Sequence, residues 1–509
     1  MESKAECARI CRNLKRHIRR MLVCHTCLLQ AVVGLALFWG TSAVRSSAQT
    51  TFTSLHSFAG TAASDGASPG YGALVQGVDG NLYGTTTQGG VNCSFFGSLG
   101  CGEVFQVTSA GTIKGIYQFC MMTGCADGND PYGGLALDTD GSLYGMTDLG
   151  GTDGIGAVFH ITSAGTFSKL YSFDNSIGSE PLDTLVRASN RRSNGKSGNF
   201  YGFTQTGSPT GYGEIFHINA TGVPTPVQTF NGTDGTGAAT GGLVQGTDGN
   251  FYGVSPNGNG SQGTVFEVTP AGAITVLHSF MGIPDGIGPT GTLVEDAHGN
   301  FYGTTRSGGT NDQGTVFMIK PGTKTMFKII YNFCMLSGCA DGFDPVAGLI
   351  QGTDGNFYGT TLGGGTGVSP GTVFQITSAG VLTTLHSFNG LSDGTEPFAG
   401  LVQHTDGTFY GTTNAGGTNG LGTVFSVSVG LGPFVRTLPS SGTVGTKVII
   451  LGNNLMSATS VTFNRTSATF MAKSDSEITT TVPTGATSGF VTVTTSTGSL
   501  TSNVSFQVP

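Results

Sequence analysis

Charge, tryptophan and helical periodicity are all scarce in this chain. Only 10% of its 509 residues are Asp, Glu, Lys or Arg, and there is one Trp. A single Trp leaves no Trp platform for stacking on sugars, so any such role falls to Tyr and Phe. After residue 48 no apolar pattern at three- and four-residue spacing is sustained, which excludes helical bundles and α/β layers. Nucleotide motifs are missing as well. Gly308-Gly309-Thr310 and Gly416-Gly417-Thr418 lack a following Gly-Lys-Ser/Thr, and Gly195-Lys196-Ser197 has Asn190 where a phosphate loop needs its first Gly. No cofactor-binding motif is present.

What the chain has instead is glycine, 86 residues of it, among short alternating runs of Thr, Ser, Val and Phe. β-branched and aromatic residues fit a pleated, half-buried surface, and Gly supplies tight turns, so the fold class is all-β. Residues 1–48 differ from the rest. Lys4, Arg9, Arg12, Lys15, Arg16, Arg19 and Arg20 precede the apolar run MLVCHTCLLQAVVGLALFWG, and Ser46 and Ala48 occupy the small-residue places of a cleavage site before Gln49. This pattern is that of a secretory signal peptide; the alternative is a retained amino-terminal anchor. Removing eight basic and two acidic residues leaves 14 basic against 28 acidic ones and a net charge of -14. Such a surface repels phosphate backbones and anionic membranes, which argues against nucleic acid as a partner. No membrane span is expected after signal cleavage.

Six cysteines follow the signal in three close pairs: Cys93 with Cys101, Cys120 with Cys125, and Cys334 with Cys339. Even, local pairing points to disulfides and an oxidising, extracellular or periplasmic setting. The near-duplicates FCMMTGCADG and FCMLSGCADG favour loop staples over a metal site.

The Tyr-Gly pairs at Tyr83, Tyr144, Tyr201, Tyr252, Tyr302, Tyr358 and Tyr410, each after Leu or Phe, set a period near fifty residues. Each is preceded by a Leu-Val-like element and followed by Val-Phe-like and Leu-His-Ser-Phe-like elements. Four short strands per unit predict a seven-bladed β-propeller over residues 50–430. Asp-Gly-Asn and Ala-Gly turns make hairpins, whereas the link from each Leu-His-Ser-Phe to the next Leu-Val is longer. That order places Leu-Val innermost and Leu-His-Ser-Phe outermost. The segment at residues 53–58 is an orphan outer strand, and the seventh unit ends after its third strand, so the amino terminus is expected to close the ring.

The stretch 433–509 lacks the repeat and carries short strand-like runs suited to a small β-sandwich. With LPSSGTVGTKVIILGNNL, SVTFNRTSATF and SDSEITTTVPTGATSGFVTVTT it resembles the IPT/TIG immunoglobulin-like family, which implies an Ig-like fold without the antibody-type disulfide. Residues 51–429, with their DGNFYGTT, GGT, GTVFQIT and LHSF motifs, resemble the GloVer-containing tandem-repeat family of exported bacterial proteins. That resemblance implies a bacterial surface or extracellular setting and no established activity.

Few residues stand out as a site. His56, His278 and His386 recur at one outer-strand position, as structural residues do. Asp127, Asp130, Asp341 and Asp344 recur in the links, where turn capping is expected and calcium is the alternative. The third unit departs most from the pattern. Its first hairpin is extended and carries Arg187, Arg191, Arg192 and Lys196, a basic patch suited to an anionic partner such as an acidic polysaccharide. The expectation is a secreted or cell-surface, non-enzymatic binding or adhesion protein with an extracellular glycan or protein ligand. The alternatives are a propeller lyase or hydrolase acting on polysaccharide, or a structural envelope component.

Overall fold

The computed structural model describes residues 49–60, 65–90, 100–188, 198–219, 221–237, 241–258, 262–366 and 370–509. Residues 50–509 form one compact unit, and the described chain is all-β, with helix limited to short single turns. Seven antiparallel sheets of four or five strands account for the repeat region. In the fourth, Val244–Gln245, Phe251–Ser255, Thr264–Val268 and Ile274–Ser279 lie side by side in sequence order, and the sixth repeats this with Ile350–Gln351, Phe357–Thr361, Thr372–Ile376 and Leu382–Ser387. Sequence order and spatial order coincide because each hairpin is too short to do anything but reverse the chain.

The turn chemistry is visible at residues 352–358. Gly355 has φ +83°, a conformation other residues resist. Asp354 then accepts hydrogen bonds from the Asn356 amide at 3.2 Å and from the Tyr358 hydroxyl at 2.9 Å, so the turn is locked to the strand it introduces. The Gly after each Tyr has a different reason. A Cβ on Gly359 would lie 2.8 Å from both Leu349 Cδ2 and Phe374 Cζ, a packing clash rather than a backbone requirement.

The amino-terminal strand Thr51–Ser57 pairs antiparallel with Thr423–Ser428, at the edge of the sheet made by Val402–Gln403, Phe409–Thr413 and Thr423–Ser428. Hydrophobic clusters then join consecutive sheets. The aromatic pair of each hairpin strand is shared between neighbours: Tyr201 packs on Phe251, Tyr252 on Phe301 and Tyr302 on Phe357, each with ring centroids 4.1 Å apart, and Tyr358 on Phe409 at 4.0 Å. Phe58, Leu74, Leu82, Phe105, Tyr410 and Val424 form one such cluster between the last sheet and the first. Burial of these side chains, at about 25 cal/mol per Å² of apolar surface, is the main force holding sheet to sheet.

Residues 436–501 form two further four-stranded sheets. Val448, Ile450 and Ile478 from one face Val461, Phe463, Val491 and Val493 from the other in a single apolar core. This module packs on the Asp-Gly-Asn hairpin side of the repeat region. Ile449 and Leu451 join Leu137 in one buried cluster. Ser476 donates to the Val78 carbonyl at 2.7 Å, Asn453 to the Thr405 hydroxyl at 3.1 Å, and Arg436 to the Gln403 carbonyl at 2.9 Å.

Candidate functional site

Residues in or just before the first strand of each of the seven sheets contribute to the wall of a cavity of about 320 Å³. Leu74, Leu135, Leu185, Leu243, Leu349 and Leu401 line it, alternating with Gly241, Gly242, Gly291, Gly348 and Gly400, and its polar groups include Thr184, Thr292 and Arg187. Its volume is at the lower end for small-molecule sites. The repeat explains the lining: a buried Leu recurs at one register in every unit, and the residues before it are small because neighbouring strands converge there. A Cβ on Gly72, for example, would lie 2.1 Å from Gly134 Cα.

Where the long links reach the first strands, the repeat is broken by aromatic residues. Tyr71 stacks on Tyr132 with centroids 4.2 Å apart and 14° between planes, and on its other side meets Phe398 at 4.3 Å. The matching positions in the sequence of the other four units are Leu182, Thr240, Thr290 and Val346. The three rings are half-buried, and Tyr71 and Phe398 belong to the cavity wall. Beside Tyr132 lie Asp130 and Asp148. Burial raises the Asp130 carboxyl to about 6, and burial, then the charges of Asp130 and Glu180, raises Asp148 to about 7. One carboxylate oxygen on each is buried without a hydrogen-bond partner. The Tyr132 hydroxyl is pushed up by burial, by Tyr71 and by the charges of Asp130 and Asp148.

Arg187 is placed quite differently from a free loop cation. Its Nε lies 2.8 Å from Asp138 Oδ1, its side chain is 8% exposed, and Asp138 is fully buried. It occupies a position used by Gln76 and Gln403, which likewise reach the preceding sheet's hairpin, at Thr405 and Thr353. Arg187 is therefore a strut between two sheets. Arg191, Arg192 and Lys196 lie outside the described residues.

The link carboxylates divide into two sets. Asp127 accepts from the Tyr117 hydroxyl at 2.8 Å and from the amides of Met121 and Met122; Asp341 does the same with Tyr331 at 2.7 Å, Met335 and Leu336. In other units His takes the place of Tyr: His56, His278 and His386 lie 2.8, 3.0 and 2.9 Å from Asp65, Asp285 and Asp393. These are clamps that fold each link back on its outer strand. The chain shows both partners in each link, but only the structure reveals that they meet. Asp344, of the second set, pairs with Arg306 at 3.0 Å.

Disulfides join Cys120 to Cys125 and Cys334 to Cys339. Cys101 is disulfide-bonded too, and Cys93 lies outside the described residues. Among the described residues the one cluster with metal-ligand spacing is Cys101, Cys120 and Cys125, and all three are disulfide-bonded, so no thiolate is available there. Two more carboxyls are buried without lining the cavity. Asp183 is fully buried where other units have Gly or Ala, and burial keeps it well above the usual range. Glu103 is fully buried, and burial, then the charge of Asp65, raises it to about 8 against the pull of Gln118.

No curated protein matches the chain. Among solved structures, an oxidoreductase (glucose dehydrogenase) of Thermus thermophilus is 17% identical, covering 58% of this chain and 95% of its own, with a TM-score of 0.36. A protein of unknown function from Dyadobacter fermentans is 9% identical over 74% of this chain and 98% of its own, with a TM-score of 0.40. An auxiliary nutrient binding protein from Bacteroides thetaiotaomicron is 14% identical over 58% of this chain and 68% of its own, with a TM-score of 0.36. No activity is carried from these to the present chain. The Gloeobacter/Verrucomicrobia repeat model matches residues 34–195, 187–340 and 335–448, and the IPT/TIG domain model matches residues 434–508. The chain thus belongs to the Gloeobacter/Verrucomicrobia repeat family and carries a carboxy-terminal IPT/TIG domain.

Proposed function

We propose that this chain is an exported, non-enzymatic binding or adhesion protein that recognises an extracellular glycan or protein ligand. In this reading residues 1–48 are a signal peptide, residues 50–430 are a seven-bladed β-propeller closed by the amino-terminal strand, and residues 433–509 are an Ig-like module. The antiparallel pairing of Thr51–Ser57 with Thr423–Ser428, together with the apolar cluster between the last and first sheets, supports the closure. The disulfides are consistent with an oxidising compartment, and among the described residues no helix is long and apolar enough to cross a membrane.

The observation that carries the binding reading is the cavity itself. Its wall is a repeated ring of Leu and small residues, and the feature that breaks the repeat at its mouth is an aromatic cluster, Tyr71, Tyr132 and Phe398, suited to stacking on a ring. The alternative, a polysaccharide lyase or hydrolase, draws on the raised carboxyls of Asp130 and Asp148, since a general acid needs such a value. Neither lies in the cavity wall. A glycan-array screen of the purified protein tests the proposal, alongside Tyr132→Ala and Phe398→Ala. Binding to a defined glycan class, weakened at least tenfold in both variants, is expected. Failure of every glycan to bind would remove the glycan ligand, and undiminished binding by both variants would remove the site.

A further inference from the structure

The repeat shows what a side chain at the Arg187 register ordinarily does. Gln76 donates to the Thr405 hydroxyl at 2.8 Å, Gln245 to the Gly249 carbonyl at 3.1 Å, Gln351 to the Gly355 carbonyl at 3.1 Å and Gln403 to the Thr353 hydroxyl at 3.2 Å, while Glu295 accepts from the Thr247 hydroxyl at 2.8 Å. All of these side chains are tied to a hairpin of their own sheet or of the preceding one. Arg187 brings more donors than its hairpin takes. A carboxylate commonly receives two N–H groups of one guanidinium side by side. Asp138 meets only Nε, at 2.8 Å, and accepts as well from the Thr139 amide at 2.7 Å and from the Gly198 amide. Arg187 Nη2 is left buried and without a hydrogen-bond partner.

That donor belongs to the cavity. The Arg187 side chain is 8% exposed and forms part of the wall, in which, among the described residues, it is the one charged group. A buried N–H without a partner is costly, more so on a charged group, which makes this free corner a place for an acceptor from outside the chain. The rest of the wall is backbone as well as side chain. In the fourth sheet Gly246 donates to the Asn250 carbonyl at 2.8 Å, and Val244 stands opposite Tyr252. Successive residues of an antiparallel strand direct N–H and C=O to opposite edges, so Leu243 turns both away from the second strand, towards the edge that no strand covers. Val75 with Tyr83, Ile350 with Tyr358 and Val402 with Tyr410 repeat the register, and with it the open groups of Leu74, Leu349 and Leu401. All four Leu residues line the cavity. Donors and acceptors side by side suit hydroxyl groups, which both give and take hydrogen bonds.

We infer that the cavity holds the terminal sugar of an acidic glycan, with its carboxylate on Arg187 Nη2 and its hydroxyls on the open strand edges. This rests on the binding reading above and narrows its ligand from glycans at large to those ending in a uronic acid. Tyr71 and Phe398 lie three positions before the Leu register and Arg187 two positions after it, so the anion is recognised at the end of the cavity away from the aromatic cluster. A neutral sugar offers the same hydroxyls and leaves the guanidinium corner unpaired.

The test is calorimetric titration of the purified full chain at pH 7 with glucuronate, galacturonate, glucose and galactose. At least one uronate is expected to bind at least tenfold more tightly than its neutral counterpart. Replacing Arg187 alone would strand Asp138, so the informative variant combines Asp138→Gly with Arg187→Gln. Together they install the pairing that Gln403 makes with Thr353 beside Gly352, since Thr139 already stands at the position of Thr353. That double variant is expected to keep its thermal midpoint and to bind the uronate no better than the neutral sugar; if it fails to fold, the wild-type comparison decides. Equal affinity for uronate and neutral sugar, absence of uronate binding, or a preference that survives in the double variant would overturn the inference. A neutral glycan bound on the array in any of those cases would leave the broader binding reading standing.

Discussion

Glu103 stands where four other units have Thr264, Thr315, Thr372 and Thr423, and replacing it with Thr is expected to stabilise the protein and to flatten its dependence on pH. In three of those units the hydroxyl pairs with a Thr on the adjacent strand: Thr305 with Thr315 at 2.8 Å, Thr361 with Thr372 at 2.8 Å, and Thr413 with Thr423 at 2.9 Å. Thr86 is the waiting partner of residue 103, since Glu103 faces it across the ladder. Glu103 instead buries a carboxyl with neither oxygen in a well-formed hydrogen bond. Burial and the charge of Asp65 raise it from an ordinary 4.5 to about 8. The folded state therefore keeps a proton that the unfolded chain has released between those values. Stability falls as pH rises through that window, by ~1.4 kcal/mol per pH unit. At pH 5 the loss is below about 1 kcal/mol, and at pH 7 it is about 3 kcal/mol. The shorter Thr side chain forfeits about 1–2 kcal/mol of packing and regains about 1 kcal/mol from its hydrogen bond. The net gain at pH 7 is then about 2–3 kcal/mol. Urea unfolding of wild type and Glu103→Thr at pH 5, 6, 7 and 8, followed by circular dichroism, measures it. Curves of stability against pH that run parallel in the two proteins would refute the reasoning.

Arg187→Ala is expected to cost about 3 kcal/mol in urea unfolding, because it strands the buried charge of Asp138. An unchanged unfolding midpoint would show that Arg187 is no strut between the two sheets. Replacing both Cys334 and Cys339 with Ser is expected to cost less than about 3 kcal/mol, since their sequence separation is only 5. A larger fall in the unfolding midpoint would mean that the staple holds more than its own loop. Thr53 and Ser426 face each other in register, so Thr53→Cys with Ser426→Cys should oxidise to an intramolecular cross-link, read as a mobility shift on a non-reducing gel. Free thiols, or dimers alone, would contradict the pairing that the proposed closure relies on.

The sheets were legible in the sequence because their signals are local. Asp-Gly-Asn turns, alternating apolar residues and unequal connection lengths fixed strand order within each sheet, and they marked residues 53–58 as an outer strand. The site was much less legible. Arg187 reads as part of a basic loop, yet it is a buried strut to Asp138, a residue 49 positions away that nothing in the local pattern connects to it. The clamps between His or Tyr and the first Asp of each link have both partners in view in the sequence, but the spacing varies from 7 to 10 residues, which hides the pairing. Asp130, Asp148 and Glu180 belong to different strands and links. That Asp130 and Asp148 lie together beside Tyr132 emerges only in the fold.

The central claim, binding without catalysis at the cavity mouth, is tested most directly on the ligand after it has been bound. Glycan captured by the purified protein, held overnight at pH 7, released and analysed by mass spectrometry should be recovered with its chain length and mass unchanged. Shortened chains, or products two hydrogens poorer at a new unsaturated end, would contradict it and point to hydrolysis or elimination instead.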